Sequence, residues 1–95
     1  MAFNAEYTGE KYKDIAKAMG VEGVDSMTQE EYRKAAVDAV RQLAEDVGIP
    51  TTLKGIVNEA DIDALAADAY ADACRPGNPR DVSEEDIKEL FKSLM

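Results

Sequence analysis

Apolar side chains recur at helical spacing in four stretches of the chain. In the first, Tyr12, Ile15, Ala16 and Met19 fall at i, i+3, i+4 and i+7, and Gly20 can close the helix. The second opens at Thr28-Gln29-Glu30-Glu31, a capping box in which the Thr28 hydroxyl and the Glu31 carboxylate take up orphan amides. It runs on through Tyr32, Ala36, Ala39, Val40, Leu43 and Val47, and stops at Gly48 with Pro50 beyond. The third begins near Asn58 as N-cap and carries Ile62, Leu65, Ala66, Ala69, Tyr70 and Ala73 on one stripe. The fourth starts at Ser83-Glu84-Glu85-Asp86, with acids at the positive end of the helix, and presents Ile87, Leu90, Phe91 and Leu94. Leu53 and Ile56 fit a short helical turn between the second and third.

No stretch alternates with period two over strand length, so no β-strand is predicted. The prediction is all-α: a small bundle of about four amphipathic helices in one domain, residues 1–95. Two loops interrupt it. Val21 to Met27 contains Gly23 and is acidic, and Arg75 to Asp81 holds two prolines and a glycine, which forbid a helix there.

Composition limits what this bundle can be. Hydrophobic residues make up 45% of the 95 but aromatic ones only 6%, without Trp, so the core is predicted to rest on Ala, Val, Ile and Leu. Small side chains bury little area each, which predicts marginal stability for the chain alone. Twenty acidic against eleven basic residues leave a net charge of −9, which disfavours nucleic acid and anionic lipid surfaces. No apolar run is long enough to span a membrane, and Met1 to Glu10 has neither the basic nor the apolar stretch of a signal peptide. Cys74 is the single cysteine, and with no signal a reducing cytoplasm fits. The chain has no histidine, so it lacks the commonest metal ligand and the commonest base near neutral pH.

Candidate chemistry is correspondingly thin. Asp61, Asp63, Asp68 and Asp72 lie close together, but an EF-hand counted from Asp61 places Leu65 and Ala66 at its fifth and sixth positions. They read as the wet face of the third helix. Asp25-Ser26-Met27 is similar to the cofactor-serine segment of acyl carrier proteins, which makes a stand-alone acidic carrier or interaction module the alternative reading. Only twenty-five residues precede Ser26, too few for the helix and long loop those domains place there. Cys74 lacks any histidine to deprotonate it and reads as a small, partly buried packing residue. Asn78 is predicted to bond local backbone and Arg80 to pair with a carboxylate.

Taken in order, several segments form a recognisable series. Met1-Ala2-Phe3-Asn4 is followed by Lys13-Asp14-Ile15-Ala16-Lys17-Ala18-Met19-Gly20, then Asp46-Val47-Gly48-Ile49-Pro50 with Leu53, then Asp61-Ile62 and Leu65-Ala66. Asp72-Ala73-Cys74 and Asn78-Pro79-Arg80 precede the closing helix. The series resembles the C-terminal end of the iron-containing alcohol dehydrogenases, whose fold is that of the dehydroquinate synthase-like enzymes. Ala5 to Tyr12 is most similar to the branch that interconverts lactaldehyde and 1,2-propanediol. Ile56-Val57 departs from the Gly-Val pair usual at that place.

The resemblance implies a two-domain parent in which an N-terminal domain binds NAD and catalytic Fe²⁺ sits in the cleft, held by one aspartate and three histidines. The iron acts there as a Lewis acid while hydride passes to or from the nicotinamide. All of those ligands are implied to lie upstream of Met1. The chain itself is thus expected to hold no metal or nucleotide and to be inactive alone, with the nucleotide-binding domain and the metal-ligand segment as its partners. Cys74 is implied to line the substrate pocket, with Asn78, Pro79 and Arg80 shaping the loop behind it. Self-association of the isolated helices through exposed apolar faces is a further expectation.

Overall fold

All four predicted helices form. In a computed structural model describing residues 1–95, α1 spans Lys11–Ala18, α2 Gln29–Asp46, α3 Ile62–Ala71 and α4 Glu84–Ser93, with no β-strand. The chain divides into two compact units, Met1–Ile49 and Pro50–Met95. The sequence pattern marks Gly48 and Pro50 only as the end of a helix; the structure makes the same point the division between units.

In the first unit α1 packs on α2. Tyr12, Ala16, Val24, Tyr32 and Ala36 form the buried cluster, with Ala5, Ile15, Val21, Met27 and Val37 packed around it. Ala16 and Ala36 have no exposed surface. The prediction that the core rests on Ala, Val, Ile and Leu is corrected in part, because two of the four tyrosines are buried in it. Tyr12 can be buried because its hydroxyl donates to the Met1 carbonyl at 2.9 Å, which satisfies the polar end of the ring. Burial pushes its phenol pKa up, so it stays neutral.

The chain ends of this unit are fixed by local chemistry. A 3₁₀ helix that the apolar pattern does not show, Ala2–Tyr7, precedes α1, and the buried Thr8 hydroxyl donates back to the Ala5 carbonyl at 2.8 Å. Gln29 and Arg33 both donate to the Gly9 carbonyl, at 3.2 and 2.9 Å, tying that turn to α2. The Arg33 Nε is buried without a partner. Both helices end in the same motif: Gly20 and Gly48 take φ of 81° and 80°. Behind them Val21 N–H bonds Ala16 O at 3.1 Å and Ile49 N–H bonds Ala44 O at 2.8 Å. Glycine at the left-handed position permits this closure.

In the second unit α3 packs on α4. Its core is thin: Ile62 and Ala66 are buried, and α4 buries no residue. The Leu53 N–H donates to the Leu94 carbonyl at 2.8 Å, and Leu53 opens the predicted short turn, its carbonyl accepting from Ile56 and Val57. Lys88 reaches Asp63 at 3.1 Å and Glu84 at 3.8 Å, and the bond to Asp63 raises its pKa. Two boundaries differ from the sequence reading. Asn58 does not cap with its side-chain oxygen; its amide donates to Asp61 at 3.3 Å, and a 3₁₀ turn, Glu59–Asp61, leads into α3. At the other end α3 stops at Ala71, before Ala73, because Asp72 turns to extended backbone (ψ 132°).

The capping boxes at Thr28/Glu31 and Ser83/Asp86 both close. The Thr28 N–H donates to Glu31 and the Ser83 N–H to Asp86, each at 2.9 Å. These bonds hold both carboxyls below their ordinary values of 4.5 and 3.8. A lowered carboxyl pKa stabilises the fold above the ordinary value and loses that contribution as pH falls through the lowered one. We predict that Thr28→Ala costs about 1 kcal/mol in urea unfolding followed by circular dichroism near neutral pH. Glu31→Gln should also be less stable there, its deficit shrinking once pH falls below 4.5; a deficit that persists unchanged in acid would contradict the capping role.

Candidate functional site: the loop from Asp72 to Arg80

The loop after α3 is held by its own side chains. Asp72 accepts the Cys74 N–H at 2.7 Å, an Asx turn that bends the chain out of the helix. Arg75 then folds back: its Nε donates to the Tyr70 carbonyl at 2.7 Å and its guanidinium lies 4.1 Å from the Tyr70 ring centroid. One cation thus caps the negative end of α3 and covers an aromatic face. The sequence reading missed this pairing; an aromatic at the end of an apolar stripe with an arginine five residues on is the signal that shows it.

A helix was ruled out between Arg75 and Asp81, and the structure corrects this in part with a single 3₁₀ turn, Arg75–Gly77. Pro76 sits in its first turn, where a missing N–H leaves no bond unmade. Asn78 bonds local backbone as predicted, its amide donating to the Arg80 carbonyl at 2.6 Å. The positive charge of Arg80 acts on Asp86, the cap residue of α4, as a minor cause of its lowered pKa.

Cys74 is exposed, not the partly buried packing residue predicted from its place after the stripe. The reason is the early end of α3: beyond Ala71 the chain leaves the helical path, so Cys74 no longer falls on the buried face. Past the buried Ile62 and Ala66, the C-terminal end of that stripe is also open. α3 carries only two polar residues, Asp63 and Asp68, yet Ala69 and Tyr70 are exposed beside Ala64, Ala67 and Ala71. A helix apolar on nearly every side belongs to a buried environment.

The other sequence candidates do not assemble into a site. Ser26 ends a 3₁₀ turn, Val24–Ser26, and Thr28, not Ser26, caps α2. Asp25 beside it is bonded to Lys17 at 2.7 Å and lies 3.7 Å from Lys13, and the bond to Lys17 holds its carboxyl below the usual range. Of the four acids near α3, Asp61 accepts from Asn58, Asp63 pairs with Lys88 and Asp72 turns the loop. No three His, Cys, Asp or Glu side chains converge on a point that could hold a metal ion. No helix is long and apolar enough to cross a membrane.

The chain is thus four helices without a strand, with a locally braced Asp72–Arg80 loop beside the exposed Ala69 and Tyr70. The chain belongs to the Fe-containing alcohol dehydrogenase family: the model of that family's C-terminal region matches residues 1–95. It is 53% identical over 92 residues to lactaldehyde reductase of Escherichia coli, a match covering 96% of the chain and 24% of the relative. NADPH-dependent butanol dehydrogenase of Clostridium saccharobutylicum is 32% identical, with 97% of the chain and 24% of the relative covered. NAD-dependent methanol dehydrogenase of Bacillus methanolicus is 30% identical, with 99% and 25% covered. The chain therefore spans about a quarter of the length of the relatives it matches.

Arg75→Ala should fray the end of α3 and cost about 0.5–1 kcal/mol, the range of an exposed cation–π contact. Hydrogen exchange of the amides near Tyr70 and Ala71 would read this directly. Unchanged exchange there would show that the stacked arginine holds nothing in place.

Proposed function

We propose that the chain is the C-terminal helical portion of an NAD- and iron-dependent alcohol dehydrogenase that interconverts lactaldehyde and 1,2-propanediol. In this reading α3 and the Asp72–Arg80 loop form one wall of the active-site cleft. The observation that carries it is the 53% identity to lactaldehyde reductase across 96% of the chain. The geometry supports it as well, because the loop is braced by its own side chains while Ala69 and Tyr70, at the end of the apolar stripe of α3, stay exposed. A cleft wall needs both: a fixed backbone, and small side chains that exclude water from the reacting groups.

The residues present do not fit an iron site, since the chain has no histidine and no converging ligand set. Metal and nicotinamide chemistry is assigned to other sequence of the parent enzyme, and this chain's residues bind neither. NAD is the nicotinamide of this reading, although the relatives' names carry both NAD and NADPH. Cys74 lines the substrate pocket as a small, polarisable surface. A lone unpaired cysteine also fits a cytoplasmic enzyme.

The test is a fusion in which this chain replaces the matched C-terminal segment of E. coli lactaldehyde reductase. NADH-dependent lactaldehyde reduction is expected from the fusion and not from the 95-residue chain. Cys74→Trp in the fusion should raise KM by about tenfold or more, because a pocket wall discriminates by volume. Aldehyde reduction by the pure chain, or a KM indifferent to tryptophan at position 74, would contradict the proposal.

A further inference from the structure

The short segment that carries Cys74 is closed into a ring by a single side chain. Arg75 reaches back five residues to Tyr70, where its Nε donates to the carbonyl at 2.7 Å and its guanidinium lies 4.1 Å from the ring centroid. Inside that ring both backbone polar groups of Cys74 are taken. The Asp72 carboxylate accepts its N–H at 2.7 Å, and its carbonyl accepts the Gly77 N–H at 3.0 Å.

The tie between this ring and α3 depends on Arg75. Asp72 turns to extended backbone (ψ 132°), so the helix no longer directs the chain beyond it. The backbone bond across the junction, from the Asp72 N–H to the Ala69 carbonyl, is 3.3 Å, at the long edge of ordinary N–H···O bonds. The Arg75–Tyr70 bond is shorter, and a planar group laid on a ring fixes direction as well as distance. Arg75 also passes this anchorage onward, since its carbonyl accepts the Asn78 N–H at 3.0 Å.

We infer that Arg75 is a positioning residue: by clamping the loop to Tyr70 it sets where Cys74 stands, and so how large an aldehyde the pocket admits. The inference rests on the proposed function, in which Cys74 lines the substrate pocket. Arg75 touches no reacting group and acts through Cys74. Lysine does not replace it, because an ammonium has neither an N–H on the stem nor a plane to lay on the ring. A wall held in place penalises each extra methylene of a substrate, whereas a wall that yields penalises it less.

The test is the ratio of kcat/KM for propanal over hexanal, measured in the fusion of this chain with the upstream part of E. coli lactaldehyde reductase. Loss of folded enzyme lowers both rates together and leaves the ratio alone, so a merely structural defect is silent. Arg75→Ala and Arg75→Lys are each expected to lower the ratio about fivefold by admitting hexanal. In a Cys74→Gly background, Arg75→Ala should change it no further, because two residues acting as one unit are not additive. A ratio unchanged in Arg75→Ala, restored in Arg75→Lys, or lowered as far in the glycine background overturns the positioning role. If Cys74→Trp still raises KM in that case, the pocket reading stands without it. A KM indifferent to Cys74→Trp removes the pocket reading and the positioning role together. A fusion that reduces neither aldehyde removes the proposed function, and the role of Arg75 with it.

Discussion

Two helices packed side by side can cover only the stripes that face each other, and each unit of this chain is built on one such pair. Everything else about the molecule follows from how far that cover extends. In the first unit it suffices where α1 meets α2. Alanines at 16 and 36 bury completely, and Tyr12 and Tyr32 supply the bulk that the small residues cannot. In the second unit it falls short, since Ile62 and Ala66 alone are buried and α4 contributes none. The apolar surface left over, on α3 and on the far end of α2, is where the functional reading begins.

That leftover surface is set on a well-braced frame. Schellman closures at Gly20 and Gly48 and capping boxes at Thr28 and Ser83 satisfy helix ends locally. In the Asp72–Arg80 loop, Asp72 accepts from the Cys74 amide, Arg75 donates to the Tyr70 carbonyl and Asn78 to the Arg80 carbonyl. Local bracing of the helix ends thus stands beside exposed apolar residues on α3 and at the far end of α2, in a chain that belongs to the Fe-containing alcohol dehydrogenase family.

Much of this was legible beforehand where the signal is local. Thr28 with Glu31, and Gly48 followed by Pro50, announce helix ends through backbone chemistry that acts within four residues, and all of these stand in the structure. Tertiary consequences were harder to see. Tyr12 reads as one apolar position among several, because its hydrogen bond to Met1 depends on a 3₁₀ helix that leaves no periodic trace. Cys74 reads as packed because the stripe of α3 continues through Ala73 on paper, whereas Asp72 captures the Cys74 amide and ends the helix early. The iron and nucleotide chemistry was never readable from these residues, and entered through likeness to longer proteins.

The sharpest single check is a calorimetric titration of the folded 95-residue chain with Fe²⁺ and, separately, with NADH. A helical portion whose metal and nucleotide sites lie elsewhere gives no saturable binding to either. Stoichiometric binding of either one would mean that these helices hold a complete site of their own, and the reading of the chain as one wall of a larger cleft would fall.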